Sequence, residues 1–261
     1  MILSRARPDV LFTVDVEPDC PPYLDGWRGV IEGMPRLLEV LAAEDVPATC
    51  FTTGETAERF PAHLDRAVAA GHELACHGHT HKRFGLMDEA EARDELARSS
   101  SVLRELAQVT AFRAPNLDFP DAYLPLLVEA GYRVDSSEGA HRMDHRARAQ
   151  RRRLEGRSAT VPGLERIPAS TTSSVLRLPA RLRDPWLAKL RRPVVLFIHP
   201  WELVDLRGEK LRWDCRAGTG PRAIEAVREV IRLFKGRGAR FGTMRELARE
   251  TVREQLPESA S

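Results

Sequence analysis

Two runs of apolar and β-branched residues, Val10 to Val14 (VLFTV) and Pro193 to Ile198 (PVVLFI), show no alternation of polar with apolar positions. Short continuous runs of this kind read as strands covered on both faces, and such strands occur where helices flank a parallel sheet. The chain between and after them supplies the helices. Met34 to Ala43 places Leu37, Leu38 and Leu41 on one helical side, with Pro35 in its first turn. Ala48 to Thr53 then reads as a strand broken by Gly54, Pro61 to Ala70 as a helix stopped by Gly71, and His72 to Cys76 as a third strand. Asp88 to Leu106 has a long helical pattern, followed by a strand at Ala111 to Arg113, a helix at Asp121 to Ala130 and a strand at Tyr132 to Asp135. After Ile198 come a helix at Pro221 to Lys235 and a last strand at Ala239 to Phe241. This alternation predicts an α/β fold with a parallel sheet, barrel-like or open. With 261 residues the chain has enough for one sizeable core and is short for two.

Ser136 to Leu178 breaks the pattern: it is rich in Arg, Ser and Thr, lacks periodicity, and is long for a structureless connection. An insertion of this kind reads as a lid or binding loop. The polar end, Arg253 to Ser261, is expected to fray.

Lys and Arg number 40 against 38 Asp and Glu, so the overall charge singles out no polyanionic partner. The arginine cluster Arg146, Arg148, Arg151, Arg152 and Arg153 has no interleaved aromatics for stacking bases, so it reads as a solvated loop and not as a nucleic-acid surface. No stretch is long and apolar enough to span a bilayer, and Met1 to Pro8 lacks the apolar segment of a signal peptide, so a cytoplasmic location is expected. Cys20, Cys50, Cys76 and Cys215 are scattered without a CxxC pair, which points to free thiols.

The polar residues that stand out lie directly after expected strands: Asp15 and Glu17, then His77, His79 and His81, then Arg113, Asp135 and His199. In parallel α/β folds the carboxyl ends of the strands share one rim, so groups far apart in sequence converge there. On a helical turn His77 and His81 of HGHTH would point the same way and His79 elsewhere. Two imidazoles and a carboxylate suit Zn(II) or a related divalent ion. In DVE the two acids share a face of extended backbone, so Glu17 or Asp15 can be the third ligand. The other acid can then take a proton from the attacking water, Arg113 can pair with that acid and hold it ionised, and His199 can protonate a leaving amine. Each residue has a structural alternative when taken singly: a turn cap for Asp15, an ion pair for Arg113, a core histidine for His199. Their joint placement at strand ends favours a hydrolytic site.

The ordered set DVE, HGHTH, FRAP, VDSS and FIHPW, spread over residues 9 to 250, resembles the motifs of the polysaccharide deacetylase family. The resemblance implies a distorted (β/α) barrel of about seven parallel strands in a single catalytic domain, 1–255, with 136–178 inserted and a polar tail at 256–261. It also implies a divalent metal, commonly zinc, and hydrolysis of an acetyl or other small acyl group from the amide nitrogen of a sugar or glycan intermediate. Asp15 matches the base, His77 and His81 the metal ligands, Arg113 the residue orienting the base and His199 the general acid, with Asp135 a further catalytic candidate. The family's usual second aspartate is replaced by Val16. A subgroup places its metal-binding acid one residue later, which makes Glu17 the third ligand and Asp19 the fallback.

Tyr23, Pro115, Asn116 and Trp201 are the substrate-contact candidates. GWRGVIEGMPRLLEVL resembles intracellular relatives, including peptidoglycan-deacetylase-like proteins, cyclic-amide hydrolases and a deformylase of lipid A sugar modification, so a cyclic amide or formamide is the alternative substrate. A carbohydrate-binding pseudoenzyme is the alternative of another class. Oligomeric state is left open, and a homo-oligomer is compatible with the sequence.

Overall fold

The computed structural model describes residues 7–154 and 160–255. Among the described residues eight strands follow in chain order: β1 Val10–Val16, β2 Thr49–Thr52, β3 Glu73–Cys76, β4 Ala111–Phe112, β5 Val134–Asp135, β6 Glu165–Arg166, β7 Val194–Ile198 and β8 Phe241–Gly242. The sheet runs β6-β5-β4-β3-β2-β1-β7, and β8 pairs with the start of β1. Every strand pairing is parallel. After β6 the chain crosses toward the opposite edge. Ala169 bridges Gly139, while Ser170 donates its N–H to the Val195 carbonyl at 2.9 Å and accepts from the Val195 N–H through its hydroxyl at 2.9 Å. These contacts draw β6 and β7 together and curl the sheet into a distorted barrel.

Strand alternation sorts the core into two parts. Val10, Phe12, Val14 and Val16 of β1 face outward and pack in one large cluster with Leu37 and Leu41, Leu64, Leu96 and Leu103, and Val227 and Ile231 of the surrounding helices. The odd positions face the barrel axis. Leu11 lies there with Phe51, Ala75, Ala111, Val134, Ile167 and Val195, closed from below by Met244 and Leu247. Moving up β1, the axis turns polar at Thr13 and Asp15, both buried. An apolar floor beneath a polar mouth therefore follows from every second residue of a single strand.

Local chemistry sets the helix boundaries. Asp88 accepts from the Glu91 N–H and Glu91 returns the bond to the Asp88 N–H, a reciprocal cap that starts the helix Glu89–Leu106. The helix expected over 121–130 is divided into a short turn, Asp121–Tyr123, and a helix, Leu124–Glu129, because Pro125 has no N–H and opens a new helical start.

The segment 136–178 is not structureless. It contains a helix, Met143–Leu154, the edge strand β6 and the short helix Ser173–Leu176. The first has no apolar stripe and the second is two residues long, so neither produces a readable period. The last helix, Met244–Gln255, extends past Arg253, where fraying was expected; residues 256–261, the expected tail, lie outside the described residues, as do residues 1–6. Among the described residues no helix is long and apolar enough to cross a membrane.

Candidate metal and hydrolytic site

His77 follows β3 directly, and its N–H donates to the Thr52 carbonyl at 2.9 Å, which fixes the start of the HGHTH segment against β2. The segment is a loop and not the helical turn suggested by the histidine spacing. Gly78 and His81 have φ of +74° and +58°, and these left-handed residues fold the chain back on itself. The two imidazole centroids come to 5.3 Å. Glu95, buried on the helix Glu89–Leu106, pins the loop: one oxygen accepts from the N–H of His79 at 2.8 Å, the N–H of Thr80 at 2.6 Å and the Thr80 hydroxyl at 2.9 Å. His79 points toward this helix, with Nε2 2.9 Å from an Arg98 nitrogen.

Glu17 lies opposite. Its Oε2 is 3.3 Å from His77 Nε2 and 2.6 Å from His81 Nε2, and the ligand atoms of the three residues all lie within 4.8 Å of one another. The donor set fits a cation. His77 Nδ1 lies 2.8 Å from the Arg113 carbonyl, which can only accept, so Nδ1 carries a proton and Nε2 is the ring atom turned toward Glu17. A lone pair and a carboxylate oxygen at 3.3 Å repel unless a proton or a metal ion sits between them. That separation is also about what two ligand atoms roughly 2 Å from one tetrahedral zinc would show. Burial pushes the Glu17 carboxyl up, but the charges of His81 and His199 and hydrogen bonds from His77 and His81 outweigh it and hold Glu17 well below the usual range. Burial works against charged His81 as well, yet Glu17 raises it. Trp201, named as a pocket candidate, approaches the other Glu17 oxygen through its indole N–H at 3.3 Å.

Asp19 does not share this site. Its two oxygens accept from the backbone N–H groups of Arg28, at 2.8 Å, and Gly29, at 2.7 Å, where the helical segment leading into Met34–Ala43 begins. It therefore caps a helix start, and Glu17, not the fallback Asp19, lies with the two histidines. Asp19→Ala is expected to lower stability by about 1.5–3 kcal/mol, the range for hydrogen bonds to a charged group, and to leave metal content unchanged. Denaturation curves and metal analysis of the variant check both.

Asp15, on the barrel axis, accepts from Arg113 Nη1 at 2.5 Å. The guanidinium is fully buried; it also donates to Thr13 Oγ1 at 2.9 Å and Ser136 Oγ at 3.1 Å, and lies 4.1 Å over the Phe51 ring. Asp135 is turned away from this group. Its oxygens accept from the Ser137 N–H at 2.9 Å and Arg166 Nε at 3.0 Å, so the catalytic assignment from sequence lands on a residue that anchors β6. The neighbour Ser136 is the residue that reaches Arg113.

His199 follows β7. Its Nε2 is 4.0 Å from Asp15 Oδ2 and 3.7 Å from Glu17 Oε1, and its ring stacks on Trp201 with centroids 4.8 Å apart and planes 19° apart. On the far side Nδ1 lies 2.7 Å from Glu202 Oε1, which also accepts the His199 backbone N–H at 3.0 Å. Burial lowers His199, but Glu17, Glu202 and Asp15 together raise it to about 9. Burial raises Glu202, but Arg177 and His199 bring it to about 2. Glu202 was not singled out from sequence, although its position three after His199, the spacing of a reciprocal cap, was a usable signal. Tyr23 is 45% exposed, Pro115 is buried beside Gly78, and Asn116 is exposed with its carbonyl accepting from Arg142 at 2.8 Å.

The family model described as polysaccharide deacetylase matches residues 5–134, a span that contains Asp15, Glu17, His77, His81 and Arg113. The chain belongs to the polysaccharide deacetylase family. It is 32% identical over 107 residues to a peptidoglycan deacetylase of Helicobacter pylori, covering 40% of this chain and 36% of that protein. It is 30% identical over 101 residues to a peptidoglycan-N-acetylglucosamine deacetylase of Bacillus cereus, covering 39% and 33%. The matches thus span about a third of the length of these relatives.

Similarity of fold extends further along the chain. A putative polysaccharide deacetylase of Mycobacterium smegmatis superposes with a TM-score of 0.66 over 99% of this chain and 96% of that one, at 22% identity. A CE4 family pseudoenzyme of Bacillus anthracis gives 0.59 over 93% and 66%, at 18% identity.

Proposed function

We propose that this chain is a metal-dependent amidohydrolase that removes an acetyl or other small acyl group from the amide nitrogen of a sugar or glycan intermediate. One observation carries the reading: a Glu17, His77 and His81 cluster suited to a divalent ion has an acid, Asp15, and an imidazole, His199, facing its edge from different strand ends. Glu17, His77 and His81 would hold the ion, most simply Zn(II), which when bound supplies Lewis acidity toward the scissile carbonyl and the attacking water.

The chain's own groups divide the proton work. Arg113 engages Asp15 Oδ1, which leaves Oδ2 on the side facing His199 to take the proton of the attacking water. His199 Nε2 is directed into the same space and would give a proton to the departing nitrogen, since an amine anion leaves far too slowly unprotonated. Trp201 steadies both sides of the site by approaching Glu17 through its N–H and stacking on His199. The names of the Helicobacter pylori and Bacillus cereus relatives support an N-acetylated sugar as substrate.

Zinc-loaded protein incubated with N-acetylglucosamine oligomers is expected to release acetate, to stop when a chelator is added and to resume when zinc is restored. Turnover of formamides or cyclic amides in place of acetamides would keep the reaction and change the substrate. Absence of turnover on every amide by fully loaded protein would overturn the proposal in favour of a pseudoenzyme.

A further inference from the structure

On the side of His199 that faces away from Asp15 lies a second buried charge pair to which the reaction outlined above assigns no part. Glu202 is fully buried, and its two oxygens serve different partners: Oε1 accepts a hydrogen bond from His199 Nδ1 at 2.7 Å and Oε2 faces Arg177 Nε at 2.5 Å in an ion pair. Arg177 follows the short helix Ser173–Leu176 at the end of the inserted segment and is itself buried. The rest of its guanidinium is spent on the backbone of one neighbouring turn, donating to the carbonyls of Asp214, at 2.8 Å, and Ala217. The Glu202 carbonyl accepts from the Gly220 N–H at 2.8 Å, so the same stretch, 214–220, is tied to Glu202 twice. A buried carboxylate and a buried guanidinium each carry a heavy desolvation cost, and a pair of well-packed apolar residues could fill the same space.

We propose that Glu202 and Arg177 are positioning residues for proton donation by His199: Arg177 fixes Glu202, and Glu202 fixes the ring orientation and the Nδ1–H of His199 so that Nε2 presents its proton to the departing nitrogen. This rests on the hydrolase reading. As the carbonyl-carbon-to-nitrogen bond breaks, its electron pair goes to nitrogen, the Nε2 proton of the imidazolium is transferred to that nitrogen, and His199 is left neutral with Nδ1–H still held by Glu202. Glu202 remains a carboxylate throughout. The arrangement gives the inserted segment a definite part in the reaction, since it supplies Arg177 from behind the site and does not need to close over the substrate.

Replacing Glu202 with glutamine tests this. Either orientation of its carboxamide removes the charge beside Nδ1–H and sets an NH2 against a donor, Arg177 Nε in one and the His199 backbone N–H in the other, so the imidazolium loses its fixed partner. An amide needs the proton, whereas 4-nitrophenyl acetate expels a stable phenolate without one. Zinc-loaded wild type, Glu202→Gln, Arg177→Met, Arg177→Lys and the double Glu202→Gln/Arg177→Met are compared on an N-acetylglucosamine pentamer and on 4-nitrophenyl acetate, with zinc content and thermal denaturation measured for each. The double replacement removes both buried charges together and guards against simple misfolding.

The amide-to-ester ratio of kcat/KM is expected to fall on the order of 10²-fold in Glu202→Gln and in the double variant, the lower range for loss of a general acid. A smaller fall is expected in Arg177→Met and substantial recovery in Arg177→Lys. Equal losses on both substrates, or an unchanged ratio, would overturn the positioning role and leave the hydrolase reading intact. A wild type that turns over neither these two substrates nor any formamide or cyclic amide would overturn the hydrolase reading itself, and this one with it.

Discussion

Arg113→Met is expected to destabilise the fold by about 3–5 kcal/mol, the usual cost of breaking a buried ion pair by removing one partner. The side chain is fully buried on the barrel axis and holds Asp15, Thr13 and Ser136 at 2.5, 2.9 and 3.1 Å. Methionine roughly fills the space but offers no donor, so Asp15 would remain as an uncompensated buried charge. In a chain of this size about 1 kcal/mol shifts Tm by roughly 2–4 °C, so a fall on the order of 10 °C is expected in calorimetry. The Asp15→Asn/Arg113→Met double variant should be less destabilised than the sum of the single ones, because it removes both charges of one pair. Additive losses would mean that Arg113 stabilises the barrel through Phe51 and Ser136 independently of Asp15.

Asp15→Asn is expected to lower kcat for amide hydrolysis by about 10²–10⁴, the contribution of a positioned general base. Asparagine keeps the shape and one acceptor for Arg113 but cannot take up a proton. The ion should stay, since Asp15 is not among the three clustered ligands. The diagnostic result is therefore a protein with full metal content, near-unchanged KM and little turnover. Loss of metal together with activity would place Asp15 among the ligands and return the base role to another group.

Much of this arrangement could be read from the letters because of one geometric fact: in a parallel sheet the residue after each strand arrives at a common rim. Asp15 lies one residue before the end of β1, Glu17, His77, Arg113 and His199 each directly follow a strand, and the structure brings them together with His81. Asp135 obeys the same rule and still points elsewhere. Its partner Arg166 lies on a two-residue strand in a segment without periodicity, so nothing in the sequence could announce the competing ion pair. The HxxxH spacing was misleading for a different reason. Four residues bring two imidazoles together on a helical turn and also in a loop carrying two left-handed residues, and only the backbone distinguishes these.

Glu95 and Arg177 were out of reach for a third reason. Each is a charged residue at a position that reads as solvated surface, and each is buried because a distant loop presents N–H or carbonyl groups to it. Asp19 shows the converse. It stands two residues from Glu17 and is chemically equivalent to it, but the backbone N–H groups of Arg28 and Gly29 claim both of its oxygens.

The central claim, that Glu17, His77 and His81 hold one divalent ion, is tested most directly by calorimetric titration of chelator-stripped protein with Zn(II). One saturable site per chain is expected, missing in His77→Ala and in Glu17→Ala although both remain folded. No saturable binding by the wild type, or undiminished binding in either variant, would contradict it.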